Sequence, residues 1–188
     1  MEPIVRGERV FLRPFEPSDA ETYRRWRADA RPMALAGYPD RAPLSLARAQ
    51  KRIDEANANF GSDEYLFVIC LLDGERPIGE ASLFRLDRPN GSAELGIFIG
   101  EVDEWSKGYG TDAVNALVDF GFAELRLERI SLNVWTENER AKRAYVKAGF
   151  VLEGTLRHDR YEHGAYTDGH VMSILRDEWL ALPRRAGG

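Results

Sequence analysis

Several things are scarce in this chain, and each scarcity excludes a class of protein. Its 188 residues hold one cysteine, Cys70, so there is no thiol pair for a disulfide and no thiolate set for a metal cluster, as expected of a reducing compartment. No stretch approaches the roughly 18 consecutive apolar residues of a membrane-spanning helix, and the amino-terminal residues lack the apolar centre of a secretory signal. A cytoplasmic protein with no membrane partner is expected. Basic excess is missing as well: 26 Lys and Arg face 31 Asp and Glu, a formal charge of −5. Without a basic stripe there is little to drive counterion release from a nucleic acid, so no such partner is expected, and the mild acidity weakly favours a cationic one. Internal repeats and low-complexity tracts are also absent.

What is present suits one core. With 44% hydrophobic and 30% charged residues, a chain of this length buries roughly 70% of the surface its unfolded form exposes, and a single domain over residues 1–188 is expected, frayed from about 183 to 188. Residues 9–15 alternate as a strand and stop at Pro14 and Pro17. Ser18-x-x-Glu21 has the form of a capping box opening a helix to about Asp29, with Arg24, Arg25, Arg27 and Arg31 read as a solvated face around Trp26. After an irregular stretch between Pro32 and Pro43, residues 45–60 are spaced as a helix with Leu46, Ala49, Ile53 and Ala56 on one side. The apolar run 65–72 reads as a buried strand with Cys70 as an inert core thiol. Turns at Asp73-Gly74-Glu75 and Pro89-Asn90-Gly91 then make a three-strand meander through residues 77–86 and 93–99.

Beyond residue 100 helices and strands alternate: a helix over about 108–124, a strand 130–135, a helix 138–147, a strand from Phe150, and a last strand containing Val171, Ile174 and Leu175. Val114, Leu117, Val118, Gly121 and Leu125 line the sheet-facing stripe of the first helix. Turns are expected at His163-Gly164 and Asp168-Gly169.

The segment richest in chemical information is Trp105-Ser106-Lys107-Gly108-Tyr109-Gly110-Thr111-Asp112-Ala113, a glycine-rich turn between an apolar strand and an amphipathic helix. The opening amides of that helix have no intrahelical acceptors and lie at the positive end of its dipole, a fit for a phosphate. Gly110 is followed by Thr111-Asp112 rather than by Lys and a hydroxyl residue, which disfavours a nucleoside triphosphatase. Gly108, Gly110 and Ala113, with Glu128 downstream, satisfy a relaxed dinucleotide pattern, so a dinucleotide-dependent enzyme on a parallel sheet stays an alternative.

The same segment resembles the acyl-CoA-binding motif of the GNAT superfamily of N-acetyltransferases, with Gly108 and Gly110 matching and Trp105 standing where Gln or Arg is usual. Residues 138–150, Asn138-Glu139-Arg140-Ala141-Lys142-Arg143-Ala144-Tyr145-Val146-Lys147-Ala148-Gly149-Phe150, resemble the second motif of that family. The opening Gly7-Glu8-Arg9-Val10-Phe11-Leu12-Arg13-Pro14 and the closing Leu175-Arg176-Asp177-Glu178-Trp179 are similar to the branch of the ribosomal-protein acetyltransferases RimJ and RimL.

The resemblance implies a mixed α/β fold: a mostly antiparallel sheet of about seven strands, splayed between the fourth and fifth, with about four helices. It implies acetyl-CoA as co-substrate, its pantetheine arm on Ile97, Phe98 and Ile99, its diphosphate over Trp105, Lys107, Gly108, Tyr109, Gly110 and Thr111, and further contacts from Asn138 and Arg143. It makes Tyr145 the general acid, whose phenol, with an ordinary pKa of about 10, can protonate a departing thiolate. Glu94, on the strand beside the expected thioester, is the candidate base. The acceptor is then a primary amine, on a small molecule or a protein amino terminus, and a homodimer is plausible. An acyl-CoA-binding module without turnover is the other alternative. His158, His163 and His170 match no standard metal-ligand spacing, and no metal is expected.

Overall fold

The two glycine turns act as expected: Gly74 and Gly91 take the left-handed conformation, with φ of +74° and +63°, which a side chain would resist. They join β3 (Glu64–Leu71), β4 (Pro77–Asp87) and β5 (Ser92–Ile99) into an antiparallel meander. The computed structural model describes residues 5–34, 43–162 and 164–183. On one side the meander continues through β2 (Val10–Pro14) to the short β1 (Val5–Arg6). On the other side β6 (Arg129–Trp135) pairs with β8 (Ala165–Leu175), which pairs with the outer strand β7 (Val151–Glu162). The sheet order is β1-β2-β3-β4-β5-β6-β8-β7, and among the described strands only the β5–β6 pair is parallel.

Helices cover both faces, which is why β3 reads as an unbroken apolar run. Its Phe67 and Ile69 pack with Val114, Leu117 and Val118 of α4 (Tyr109–Asp119) and with Tyr145 of α5 (Glu139–Lys147). Its Leu66, Val68 and Cys70 face the other layer: Tyr23 and Trp26 of α1 (Ala20–Ala28), and Ala49, Ile53 and Ala56 of α3 (Leu46–Ala58). Ser45 caps α3 by accepting from the Arg48 amide at 3.3 Å. Leu46, expected on the buried side of that helix, is exposed in its first turn.

The structure differs from the sequence reading at several points. The described residues form eight strands where about seven were expected, because Val5 and Arg6 pair with Leu12 and Phe11. Two short helices, α2 (Ala30–Met33) and α6 (Arg176–Ala181), bring the α-helices among the described residues to six where about four were expected. The Ser18-x-x-Glu21 box does not form. Instead Asp19, nearly buried, accepts from the Glu16 amide at 2.8 Å and from both terminal nitrogens of Arg13 at 2.7 and 2.9 Å. A carboxylate already held by a strand arginine sets the turn before the helix, and Glu21 pairs outward with Arg24. Asp168-Gly169 makes no chain reversal. It lies inside β8 opposite a bulge in β7, where His158 has φ of +52° and its amide donates to the Asp168 carboxylate at 2.8 Å. The reversal occurs at Gly164; His163 and residues 35–42 and 184–188 lie outside the described residues.

One long-range contact fixes the helix that follows the glycine turn. The Asp112 carboxylate, in the first turn of α4, accepts from three successive backbone amides leading from the β1–β2 turn into β2: Glu8 at 3.0 Å, Arg9 at 2.8 Å and Val10 at 3.0 Å. Replacing it leaves three donors without this acceptor, so Asp112→Ala is expected to lower the unfolding free energy by about 2–4 kcal/mol. Denaturant titration measures this, and an unchanged midpoint would remove the clip from the list of stabilising contacts.

Candidate active site

The decisive geometry lies between β5 and β6. Their parallel ladder has three pairs, Ser92 with Arg129, Ala93 with Ile130 and Glu94 with Ser131, and then stops. Beyond it β5 stays paired with β4 as far as Ile99, while β6 runs on with β8. The strands part, leaving a cleft of about 750 Å³ lined by Ile97, Phe98 and Ile99 on one wall and Asn133, Val134 and Trp135 on the other. Backbone groups on the open edge of β5 have lost their ladder partners, and a ligand with amides of its own can replace them.

At one mouth of the cleft the glycine turn enters α4. Ser106 and Gly108 both adopt positive φ, +62° and +91°, turning the chain so that the next amides open the helix without acceptors. The Arg9 guanidinium fastens the turn from below by donating to the Lys107 carbonyl at 2.5 Å. Trp105, which stands where the motif usually has Gln or Arg, keeps a donor: its indole N–H bonds the Ile99 carbonyl at 2.9 Å. Its ring also supports the Arg140 guanidinium, whose carbon lies 3.9 Å from the ring centroid. Burial draws the Arg140 pKa down.

Helix α5 forms the facing wall, capped by Asn138, which accepts from the Ala141 amide at 3.1 Å. From it Asn138, Arg140, Arg143 and Tyr145 all reach the cleft. Tyr145 is buried against Phe150, with ring centroids 5.8 Å apart. Burial pushes its pKa up, and its hydroxyl has no hydrogen-bond partner among the described residues. Glu94 lies where β5 and β6 part, one carboxylate oxygen held by Arg85 at 2.6 Å.

Of the residues singled out from the sequence, Glu94, Ile97, Phe98, Ile99, Trp105, Gly108, Gly110, Thr111, Asn138, Arg143 and Tyr145 line this one cleft. The side chains of Lys107 and Tyr109 do not. Lys107 is drawn to Glu104 at 3.0 Å, and the Tyr109 ring lies under Arg9, 4.3 Å away. Arg27 also departs from its reading as part of a solvated face: its side chain is 9% exposed and bonds Glu80 and the Tyr23 hydroxyl. Together with Arg52, Glu64 and Arg85 these residues line a part of the cleft for which the sequence reading named no individual residue. The available signal was Glu80, a charge within the largely apolar first half of β4. His158 stacks on Tyr166, and His170 meets the Thr155 hydroxyl at 3.0 Å, each in its own local setting.

The acetyltransferase (GNAT) domain family matches residues 9–151. The chain belongs to the GNAT family. It is 32% identical to the probable N-acetyltransferase YjcK of Bacillus subtilis over 179 residues, 93% of this chain and 98% of that relative. It is 34% identical to the spermidine N(1)-acetyltransferase of Escherichia coli over 126 residues, 67% of this chain and 66% of the other. Among solved structures, spermidine N-acetyltransferase from Vibrio cholerae in complex with CoA and spermine matches with a TM-score of 0.80 at 26% identity, covering 91% of this chain and 98% of that one. As a GNAT protein the chain is an acyl-CoA-dependent N-acetyltransferase. The dinucleotide alternative is overturned, since the sheet it needs is parallel and this one has a single parallel pair.

Both cleft phenols are held neutral: Tyr23 is pushed up to about 12 by burial and by the Glu80 charge, and burial raises Tyr145 further. Because the folded state holds these protons more tightly, this stabilisation is complete below the ordinary tyrosine pKa and fades as the pH rises through the folded values. Tyr145→Phe should therefore leave phenolate absorbance between about pH 9 and 11 unaltered, because the deleted phenol does not ionise there. A loss of one phenolate in that window would contradict its burial.

Proposed function

We propose that this chain, acting as a single domain, transfers the acetyl group of acetyl-CoA to a primary amine by direct attack in a ternary complex. The supporting observation is the Tyr145 phenol: buried, its pKa raised by that burial, and without a hydrogen-bond partner among the described residues, it faces a cleft whose opposite wall is an open strand edge. In this reading the pantetheine amides bond the edge at Ile97, Phe98 and Ile99, and the diphosphate meets the amides of residues 107–111, with Arg140 and Arg143 adding charge.

The amine nitrogen attacks the thioester carbonyl carbon, the carbon–sulfur bond breaks, and Tyr145 gives its proton to the sulfur. The amine releases a proton through water toward Glu94, which has one carboxylate oxygen not engaged by Arg85. No protein residue becomes acylated. Holding the two reactants against each other supplies much of the rate, and acid catalysis adds to it. The spermidine enzymes among the relatives favour a small amine, whereas the similarity of both chain ends to the RimJ and RimL branch favours a protein amino terminus.

Two variants test this assignment. Tyr145→Phe should keep CoA affinity and lose at least about tenfold in turnover, in line with general-acid contributions. Full turnover in the variant would take Tyr145 out of the mechanism, and thiol release absent from the unaltered protein with every amine would leave only an acyl-CoA-binding module. Trp105→Ala should weaken CoA binding by about 3- to 30-fold in calorimetry, the range of a cation–π contact that orients Arg140. Unaltered affinity would detach the Trp105–Arg140 stack from phosphate binding.

A further inference from the structure

On the side of the cleft covered by α1 and α3, three lining carboxylates each carry a guanidinium. Arg52 grips Glu64 through both terminal nitrogens at 2.8 and 3.0 Å. Arg27 bonds Glu80 and, at 3.0 Å, the Tyr23 hydroxyl. Arg85 bonds Glu94 at 2.6 Å. Glu104, the remaining lining carboxylate among the described residues, is taken by Arg76 and Lys107 near the glycine turn. At the opposite wall α5 adds Arg140, Arg143 and Lys147 without adding an acidic residue to the lining.

We propose that the acceptor is a small primary amine that carries its own carboxylate, and that polyamines are poor acceptors; this rests on the acetyl-transfer reading above. A polyamine brings two or more positive charges and must find carboxylates with open lone pairs to replace its lost water. Here it would meet carboxylates that each already carry a guanidinium, with Glu94 keeping one oxygen clear of Arg85 for the reacting amine. Like charges brought together at a partly desolvated site repel more strongly than in open water. A carboxylate on the acceptor reverses that sign, since planar guanidinium groups bind carboxylates through paired hydrogen bonds.

Arg52 is assigned as the group that reads this carboxylate. Its side chain is 37% exposed, against 9% for Arg27, so it can be reached by a ligand, and its pairing with Glu64 holds it in place. Arg85, 70% exposed, is too fully hydrated to discriminate strongly. With the acceptor carboxylate on Arg52, its amine can extend toward Glu94, where β5 and β6 part and the thioester is expected. The overall charge of −5 suggested a cationic acceptor, but the charges lining the cleft argue otherwise.

The test is thiol release from acetyl-CoA with free amino acids, the matching amino acid carboxamides, a peptide with a free amino terminus, and spermidine. The expected result is kcat/KM at least about tenfold higher for an acid than for its carboxamide, and lower for spermidine than for either. In Arg52→Gln, with retained CoA affinity reporting that it is folded, the acid-to-amide ratio should fall toward one through the KM of the acid, and Arg52→Lys should restore part of it. Preference for spermidine or the peptide, equal use of acid and amide, or a ratio indifferent to Arg52→Gln would each overturn the proposal while leaving acetyl transfer intact. Absence of release with every amine would instead remove the acetyl-transfer reading, and this proposal with it.

Discussion

A parallel ladder of only three residue pairs joins β5 to β6, and the cleft exists because a fourth pair does not form. Past Glu94 and Ser131 each strand has a better-paired neighbour elsewhere, β4 for one and β8 for the other, so the sheet survives the gap. The cost is a set of backbone groups on β5 without a strand partner, which are retained in a fold only where water or a ligand can satisfy them. Everything else at the site is arranged around that opening. Helix α4 begins at its mouth, the Asp112 clip fixes that helix to the start of β2, and α5 closes the far wall with Tyr145.

Charge is distributed along the cleft in two distinct ways. The α5 side presents Arg140 stacked on an indole rather than on a carboxylate, a setting in which a cation keeps its capacity to bind an anion. The α1, α3 and β4 side presents cations and anions already matched, among them the nearly buried Arg27–Glu80 pair. A matched buried pair contributes little net stability, because desolvating both groups offsets their attraction. Such a pair imposes order on the side chains around it, here Tyr23 and Phe98, over whose rings the Arg27 guanidinium sits at 4.8 and 5.0 Å.

How much of this was readable from the residues varied with the range of the interaction. Strands and helices governed by local alternation and by glycine turns fell within a residue or two of expectation, as at β3, β5 and α5, and the two GNAT-like motifs placed Tyr145, Asn138 and the glycine turn in one region. What could not be read depended on contacts between distant residues. Asp112 looks like an ordinary first-turn acid until the chain brings Glu8, Arg9 and Val10 to it. Arg27 belongs by composition to a run of surface arginines, and only the packing of α1 over β4 turns it inward to Glu80. The Lys107 amide belongs to the glycine turn, whereas the pairing of its ammonium with Glu104, three residues earlier, shows only in the structure. In Asp168-Gly169 the residues of a turn occur where a bulge is needed, a distinction set by the neighbouring strand.

The sole sulfhydryl of the chain has a practical consequence. Cys70 sits near the end of β3 between the two helical layers with no surface exposed to water, and burial raises its pKa, so it is both shielded and protonated. An aqueous disulfide reagent therefore finds nothing to titrate on the folded polypeptide. Colour developing during a reaction comes from liberated coenzyme alone, and slow colour in a blank signals unfolding.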